Sequence, residues 1–181
     1  YETLHTDGKT KGRINYTVWS DVFSCPECAG EVVFFEHALD KHTKRVRDSI
    51  TCPHCSSEMR KEQMDLHLES ALDPATGTSR QRPKRVPVLI NYDVGKETFE
   101  HPPTAADLAL IARVQAMPMP AEVPTDQLLD RGSLGRGRVV TTNTSAVHHF
   151  FLSRPLQSLA AIWSMAEKQP DARLRNALVY F

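Results

Sequence analysis

No stretch of this chain is apolar for anything near the roughly 18 residues that a helical membrane span requires. Neither sign of charge prevails, with 22 Lys and Arg against 22 Asp and Glu. Global charge therefore gives no basis for steering toward nucleic acid, and only local patches can carry that case. A phosphate-binding loop is missing, because the glycines of Gly132–Arg138 lack the Gly-Lys-Ser/Thr ending that such a loop needs. No Ser-His-Asp or His-Glu-x-x-His arrangement can be read from local motifs. Nothing resembling a signal peptide opens the chain, which favours a reducing, cytoplasmic setting in which thiols stay free. Cysteine is scarce: there are only four.

Those four are placed in two pairs, Cys25-Pro26-Glu27-Cys28 and Cys52-Pro53-His54-Cys55. Two thiolates separated by two residues can face one point, because the turn between them folds their side chains together. Two such knuckles supply four soft ligands in a tetrahedron, which suits zinc. Two disulfides, or one redox-active pair, are the competing readings. A redox pair wants its first cysteine at a helix N-terminus. Here Val22-Phe23 precedes the first knuckle and Glu31–Phe35 follows it, so the pattern is strand, knuckle, strand. The expectation is a zinc ribbon, with Cys25, Cys28, Cys52 and Cys55 holding a structural zinc at the tips of two hairpins. With the sulfur set complete, His37, His42 and His54 are not expected to be ligands. His54, inside a knuckle, is expected to cover or hydrogen-bond the site.

The 181 residues suffice for one good core and a small satellite. The fold class expected is α+β: a zinc-ribbon β unit over 1–61, a β-hairpin extension over 62–103, and a helical region over 104–181 with a long irregular connection at 120–138. Arg13–Trp19 alternates, with Ile14, Tyr16 and Val18 on one face, and is expected to pair with the strand leading to the first knuckle. Val32–Phe35 reads as a buried strand, and Met64–Leu72 as another. Val86–Tyr92 and Lys96–Glu100 read as a hairpin turned at Asp93-Val94-Gly95. Pro87 places the start of that strand at an edge or before regular pairing. Thr104 and Asp107 form a helix-capping pair after Pro102-Pro103. Ser153 is expected to cap a long helix with Pro155 in its first turn. Leu156, Leu159, Ala160, Ile162, Trp163 and Ala166 make its apolar stripe, with Trp163 in a core or an interface. Leu174, Leu178 and Phe181 would share one side of a final helix.

The densest basic run is Arg80, Arg82, Lys84 and Arg85, four cations within six residues. Lys44, Arg45 and Arg47 form a second candidate patch. Either could contact phosphates, or could be a solvated connection. His148-His149 reads as part of a strand. Adjacent histidines there would point to opposite faces, and no acidic residue stands nearby in sequence, so no role is expected for the pair.

Enzymes that methylate exocyclic amines with S-adenosylmethionine use a glycine-rich loop and an Asn/Asp-Pro-Pro-Tyr/Phe motif, which offers acceptors to the amine and a ring to the flipped base. His101-Pro-Pro-Thr104 lacks both acceptor and ring, and Asp73-Pro-Ala-Thr76 lacks the second proline. Nevertheless Gly12–Cys28, Arg47-Asp48 before Cys52–Cys55, and Arg82–Tyr92 resemble the middle portion of large adenine-specific DNA methylases that contain a zinc ribbon. Val147–Phe151 followed by Leu156–Trp163 resembles the stretch with which such chains re-enter the methylase body.

The resemblance implies a non-catalytic, zinc-binding accessory region of an S-adenosylmethionine-dependent adenine methyltransferase. Its role would be to position DNA or brace the catalytic body, with the cofactor needed only elsewhere in the parent enzyme. Its partners would be the remainder of the methylase chain and, through the full-length enzyme, DNA. The chain opens at Tyr1 without an initiator methionine and closes on an apolar run, which agrees with a piece of a larger protein. The alternative is a zinc-stabilised protein-interaction module with no part in methylation.

Overall fold

A computed structural model describes residues 1–40, 43, 45–128 and 142–179. His42 and Lys44, Gly132–Arg138, Val139-Val140 and Phe181 lie outside the described residues. The chain divides into two units. One comprises Tyr1–Glu69 with Arg82–Leu110; the other comprises Ser70–Gln81 and the chain from Ile111 onward.

The first unit is built on one long strand. Strand β2 (Lys11–Ser24) pairs with β1 (Glu2–Leu4) on one side and β9 (Arg85–Val94) on the other, and β9 pairs in turn with β10 (Glu97–His101). All of these pairings are antiparallel. The alternating stretch Arg13–Trp19 and the lead into the first knuckle are thus one strand, not two paired strands. Beyond Asp21 the same strand takes new neighbours, β3 (Glu31–Val33) and β6 (Asp65–Leu66).

Two bulges interrupt the β2–β9 ladder. Ile14 faces Tyr92 and Tyr16 faces Asn91, so Asn15 is the extra residue; Val18 faces Leu89 and Trp19 faces Pro87, so Val88 is the extra one on β9. A bulge moves the following residues to the other face. Ile14 is accordingly buried, whereas Tyr16, expected on the same face, is 52% exposed. Pro87, which has no N–H to give a ladder, stands beside the second bulge and before the β10 pairing begins at Ile90. Central β9 supplies Ile90 and Tyr92 to a small core with Ile14, Val94 and Phe99.

The glycine before β2's alternating run is not a turn residue. Gly12 lies buried within β2, and a Cβ there would collide with the ring of Tyr92. Tyr92 is fully buried, and its hydroxyl bonds His5 Nδ1 at 2.9 Å.

A second core surrounds the knuckles. Phe23, Cys25, Val32, Ala38, Ile50, Cys52, Met59 and Met64 form it, with Phe34 and Leu66 packed against it. Phe34 and Phe35 are not in a strand. They begin the short helix α1 (Phe34–His37), where Phe35 N–H donates to Ser20 Oγ at 2.9 Å. The second knuckle is enclosed by β4 (Ile50–Thr51) and β5 (Glu58–Met59). The expected strand over Met64–Leu72 divides at His67, whose backbone bonds both Val22 and Lys84, into β6 and β7 (Leu68–Leu72). β7 forms a two-stranded sheet with β8 (Ser79–Pro83), which carries the first part of the basic run.

Helix α2 (Ala105–Gln115) follows β10. Thr104 and Asp107 cap it reciprocally: Thr104 N–H donates to Asp107 Oδ2 at 2.8 Å, and Asp107 N–H to Thr104 Oγ1 at 3.3 Å.

In the second unit, Val123, Leu156 and Ala160 form a core with Ala75 and Met119. Helix α3 (Ser153–Glu167) has Leu152, not Ser153, at its N-cap, with no side-chain cap bond; Pro155 does lie in its first turn. Only part of its apolar stripe is covered. Leu156, Ala160 and Ala166 are buried, whereas Leu159, Ile162 and Trp163 are exposed. Helix α4 (Ala172–Val179) follows, and Asp171 accepts the N–H groups of Arg173 and Leu174 at its start. His148 and His149 stand in a 3-10 turn, Val147–Phe150, rather than in a strand.

Candidate metal centre

The two knuckles are built alike. In the first, Cys25 N–H donates to Gly30 O at 2.9 Å and Ala29 N–H to Cys25 O at 2.8 Å. In the second, Cys52 N–H donates to Ser57 O at 2.9 Å and Ser56 N–H to Cys52 O at 3.0 Å. Ala29 and Ser56, each just past a second cysteine, both hold left-handed backbone, with φ of 57° and 61°. Local sequence thus produces the same tight turn twice. In each, the first cysteine faces the core and the second faces solvent: Cys25 and Cys52 are buried, Cys28 and Cys55 exposed.

All four thiols are free and converge, their sulfurs lying within 4.8 Å of one another. Cys25 Sγ lies 3.8 Å from Cys55 Sγ, and Cys28 Sγ lies 3.7 Å from Cys52 Sγ. A tetrahedron with zinc–sulfur bonds of about 2.3 Å has edges of roughly 3.8 Å. The set therefore fits a zinc ion as it stands, and the ribbon-like arrangement expected from the spacing is present.

Donors surround the sulfurs. Gly30 N–H and His54 N–H point at Cys28 Sγ and Cys52 Sγ, each at 3.4 Å. Ser57 Oγ lies 3.1 Å from Cys55 Sγ and 3.6 Å from Cys25 Sγ. Burial would push the Cys25 thiol up, but bonds from Ser57 and from the Cys28 and Glu27 N–H groups bring it down to about 6. At Cys28 the Gly30 N–H pulls down, yet burial and the other three thiols outweigh it and push Cys28 up to about 12. Ser57 holds Cys55 below its usual value. Four sulfurs this close cannot all ionise on their own. A divalent cation removes the conflict, and the backbone donors share the charge that remains.

His54 acts as expected of a covering residue. Its Nε2 bonds Glu31 O at 3.0 Å, and its ring lies so close to Gly30 that a Cβ there would overlap it. Glu31, at the exit of the first knuckle, is held below the usual carboxylate range by Lys84, despite burial. Lys84 Nζ donates to both Glu31 oxygens at 2.7 Å, and His67 Nε2 stands 3.3 Å from Oε1.

The basic run is consequently distributed through the fold. Arg82 pairs with Glu69 at 2.9 Å, Lys84 with Glu31, and Arg85 with Asp21 at 2.9 Å. Arg80 Nη1 donates to Asn143 O at 2.9 Å. In the other patch, Arg45 and Arg47 are exposed beside the bridge between Leu39 and Val46; Lys44 is outside the described residues.

Ser57, Gly30 and Glu31 were not legible as site residues, although the near-repeat of the knuckles offered a signal for the first two. A further group is Asp73 with His148 and His149, whose ligand atoms also lie within 4.8 Å of one another; the sequence offered the two histidines, but not the acidic partner that brings them together. Nothing local marks it, since Asp73 and His148 are 75 positions apart. Among the described residues, no helix is long and apolar enough to cross a membrane.

No family model, curated protein or solved structure matches the chain. What is defined is an α+β chain whose four-cysteine cluster can hold a metal ion such as zinc.

Proposed function

We propose that the chain is a zinc-braced, non-catalytic region of a larger S-adenosylmethionine-dependent adenine DNA methyltransferase, and that its task is to brace the catalytic body. The observation that carries the non-catalytic part is the closed sulfur set. Four cysteines take every position around a tetrahedral zinc, leaving none for substrate or water. The ion would supply folding energy to a core too small to be stable without it.

The methylase part rests on the sequence resemblance. It gains support from the placement of two of the resembling segments, Gly12–Cys28 and Arg82–Tyr92, which run side by side as β2 and β9. Bracing is favoured over holding DNA because three cations of the basic run pair with the fold's own carboxylates.

The test is the coding sequence around this region together with calorimetry. A glycine-rich cofactor loop and a Pro-Pro-Tyr/Phe motif are expected in the flanking sequence, and no S-adenosylmethionine binding by this chain alone. Absence of both motifs removes the methylase reading, and micromolar cofactor binding by the chain contradicts the accessory role.

One observation favours the interaction-module reading. Helix α3 exposes Leu159, Ile162, Trp163 and Met165, between 42% and 74% each. On this reading the exposed apolar face is a docking surface for a separate protein.

A further inference from the structure

A second group of metal-ligating side chains lies apart from the cysteines and differs from them in chemistry. Asp73 opens the turn between β7 and β8, and its Oδ1 accepts the Ala75 N–H at 2.9 Å. Its Oδ2 is 2.8 Å from His148 Nε2 and 3.0 Å from His149 Nε2. All three side chains are 4–5% exposed.

Hydrogen-bond partners fix the protons. His148 Nδ1 faces Pro124 O at 3.1 Å, which can only accept, so Nδ1 carries a proton. In a neutral His148 the Nε2 lone pair would then face a carboxylate oxygen at 2.8 Å, two acceptors with nothing between them. A proton or a metal ion must stand between the two atoms. A carbonyl that takes the Nδ1 proton while Nε2 points at the site is how ligating histidines are commonly oriented. Burial would raise the Asp73 carboxyl, but His148, His149 and the Ala75 N–H together hold it well below the usual range, so the site keeps an anion.

We propose that Asp73 Oδ2, His148 Nε2 and His149 Nε2 form a second metal site, for a borderline divalent cation of the zinc or cobalt kind. Two imidazoles and one carboxylate suit such ions and leave a coordination position open, unlike the closed sulfur set. Binding displaces to solvent the one proton shared between His148 Nε2 and Asp73 Oδ2. His149 stays neutral. Without metal its Nδ1 accepts the Ser145 and Ala146 N–H groups at 3.2 Å. With metal its proton moves from Nε2 to Nδ1, so the Ser145 and Ala146 N–H groups must turn away from that nitrogen, and Ser145 Oγ, now 3.5 Å away, accepts the proton in their place. Arg80, whose charge bears on His149, opposes the cation. The proposal is independent of the methylase reading.

The test is a cobalt(II) titration of the intact chain, its cysteines already loaded with one zinc. A second equivalent should bind with weak visible absorption and without the intense thiolate-to-cobalt band that displacement of zinc would give. Asp73→Asn and His148→Ala should lose this equivalent, and His149→Ala should weaken it at least tenfold, all three retaining the first zinc. As a check free of variants, bound cobalt should broaden the ring resonances of His148 and His149 in the unmodified protein. Failure of the unmodified chain to bind a second equivalent overturns the proposal. So does an equivalent that survives Asp73→Asn and His148→Ala, or one that leaves both rings sharp.

Discussion

Ala29 and Ser56 occupy the same place in the two knuckles, and both hold a left-handed backbone, with φ of 57° and 61°. That conformation costs an L-residue with a Cβ roughly 1–2 kcal/mol. Glycine would remove the cost, less the entropy it loses on folding. Ala29→Gly and Ser56→Gly should each stabilise the zinc-loaded protein by about 0.5–1 kcal/mol. Urea unfolding at fixed free zinc measures this, and a loss of stability in both variants would contradict the strain account.

Gly12 should tolerate no side chain. A Cβ at this position meets the buried ring of Tyr92 and, at 3.2 Å, the Asp93 carbonyl oxygen. Gly12→Ala should therefore cost about 1–3 kcal/mol, the range for overpacking a closed site. Denaturant unfolding is the readout, and an unchanged midpoint would show that β2 and β9 do not approach as described.

The cap of α2 sets a pH dependence. Burial would raise Asp107, but Thr104 and Thr3 outweigh it and hold it below its usual value. A carboxylate with a lowered folded value binds protons more readily when unfolded, so its stabilisation is complete above about pH 4 and declines as pH falls below that. The stability gap between the unmodified protein and Asp107→Asn should thus be widest near neutrality and shrink in acid. Subtracting the two proteins removes the acid lability of the zinc site, which they share. A gap that widens in acid would reverse the assigned sign.

Since the basic run pairs with the fold's own groups, removing it should cost stability but leave the salt dependence of DNA binding unchanged. With Arg80, Arg82, Lys84 and Arg85 all changed to alanine, the full-length protein should unfold at lower denaturant and, under conditions where it stays folded, keep its salt dependence of duplex binding. Were these side chains neutralising phosphates, each one removed would lower the slope of log affinity against log salt by about 0.9. A measured fall of that size would return these residues to the nucleic-acid surface.

The centre was legible because its ligands come from two local motifs, each of which folds its own cysteines together. The β9–β10 hairpin was legible for the same reason, through its Asp93-Val94-Gly95 turn. Tyr16 was misplaced because a bulge at Asn15 shifts the alternation, and bulges depend on the neighbouring strand. Phe34 and Phe35 look like strand by composition, yet they begin a single helical turn from which Phe34 packs on the cysteine core. The adjacent histidines were visible, but their partner Asp73 was not, because it meets them only through tertiary folding. The 3-10 turn Val147–Phe150 turns both rings to one carboxylate, which a strand would have separated.

The central claim is that Cys25, Cys28, Cys52 and Cys55 hold one structural zinc. Its most direct test is zinc content with amide exchange, in an Asp73→Asn background so that only the sulfur site is counted. Protein purified without added metal should carry one zinc per chain. Adding Cys52→Ser should abolish it and expose the Val32 and Ile50 amides, while α3 remains protected. Zinc near zero with the four cysteines intact, or Val32 and Ile50 still protected after Cys52→Ser, would contradict the account.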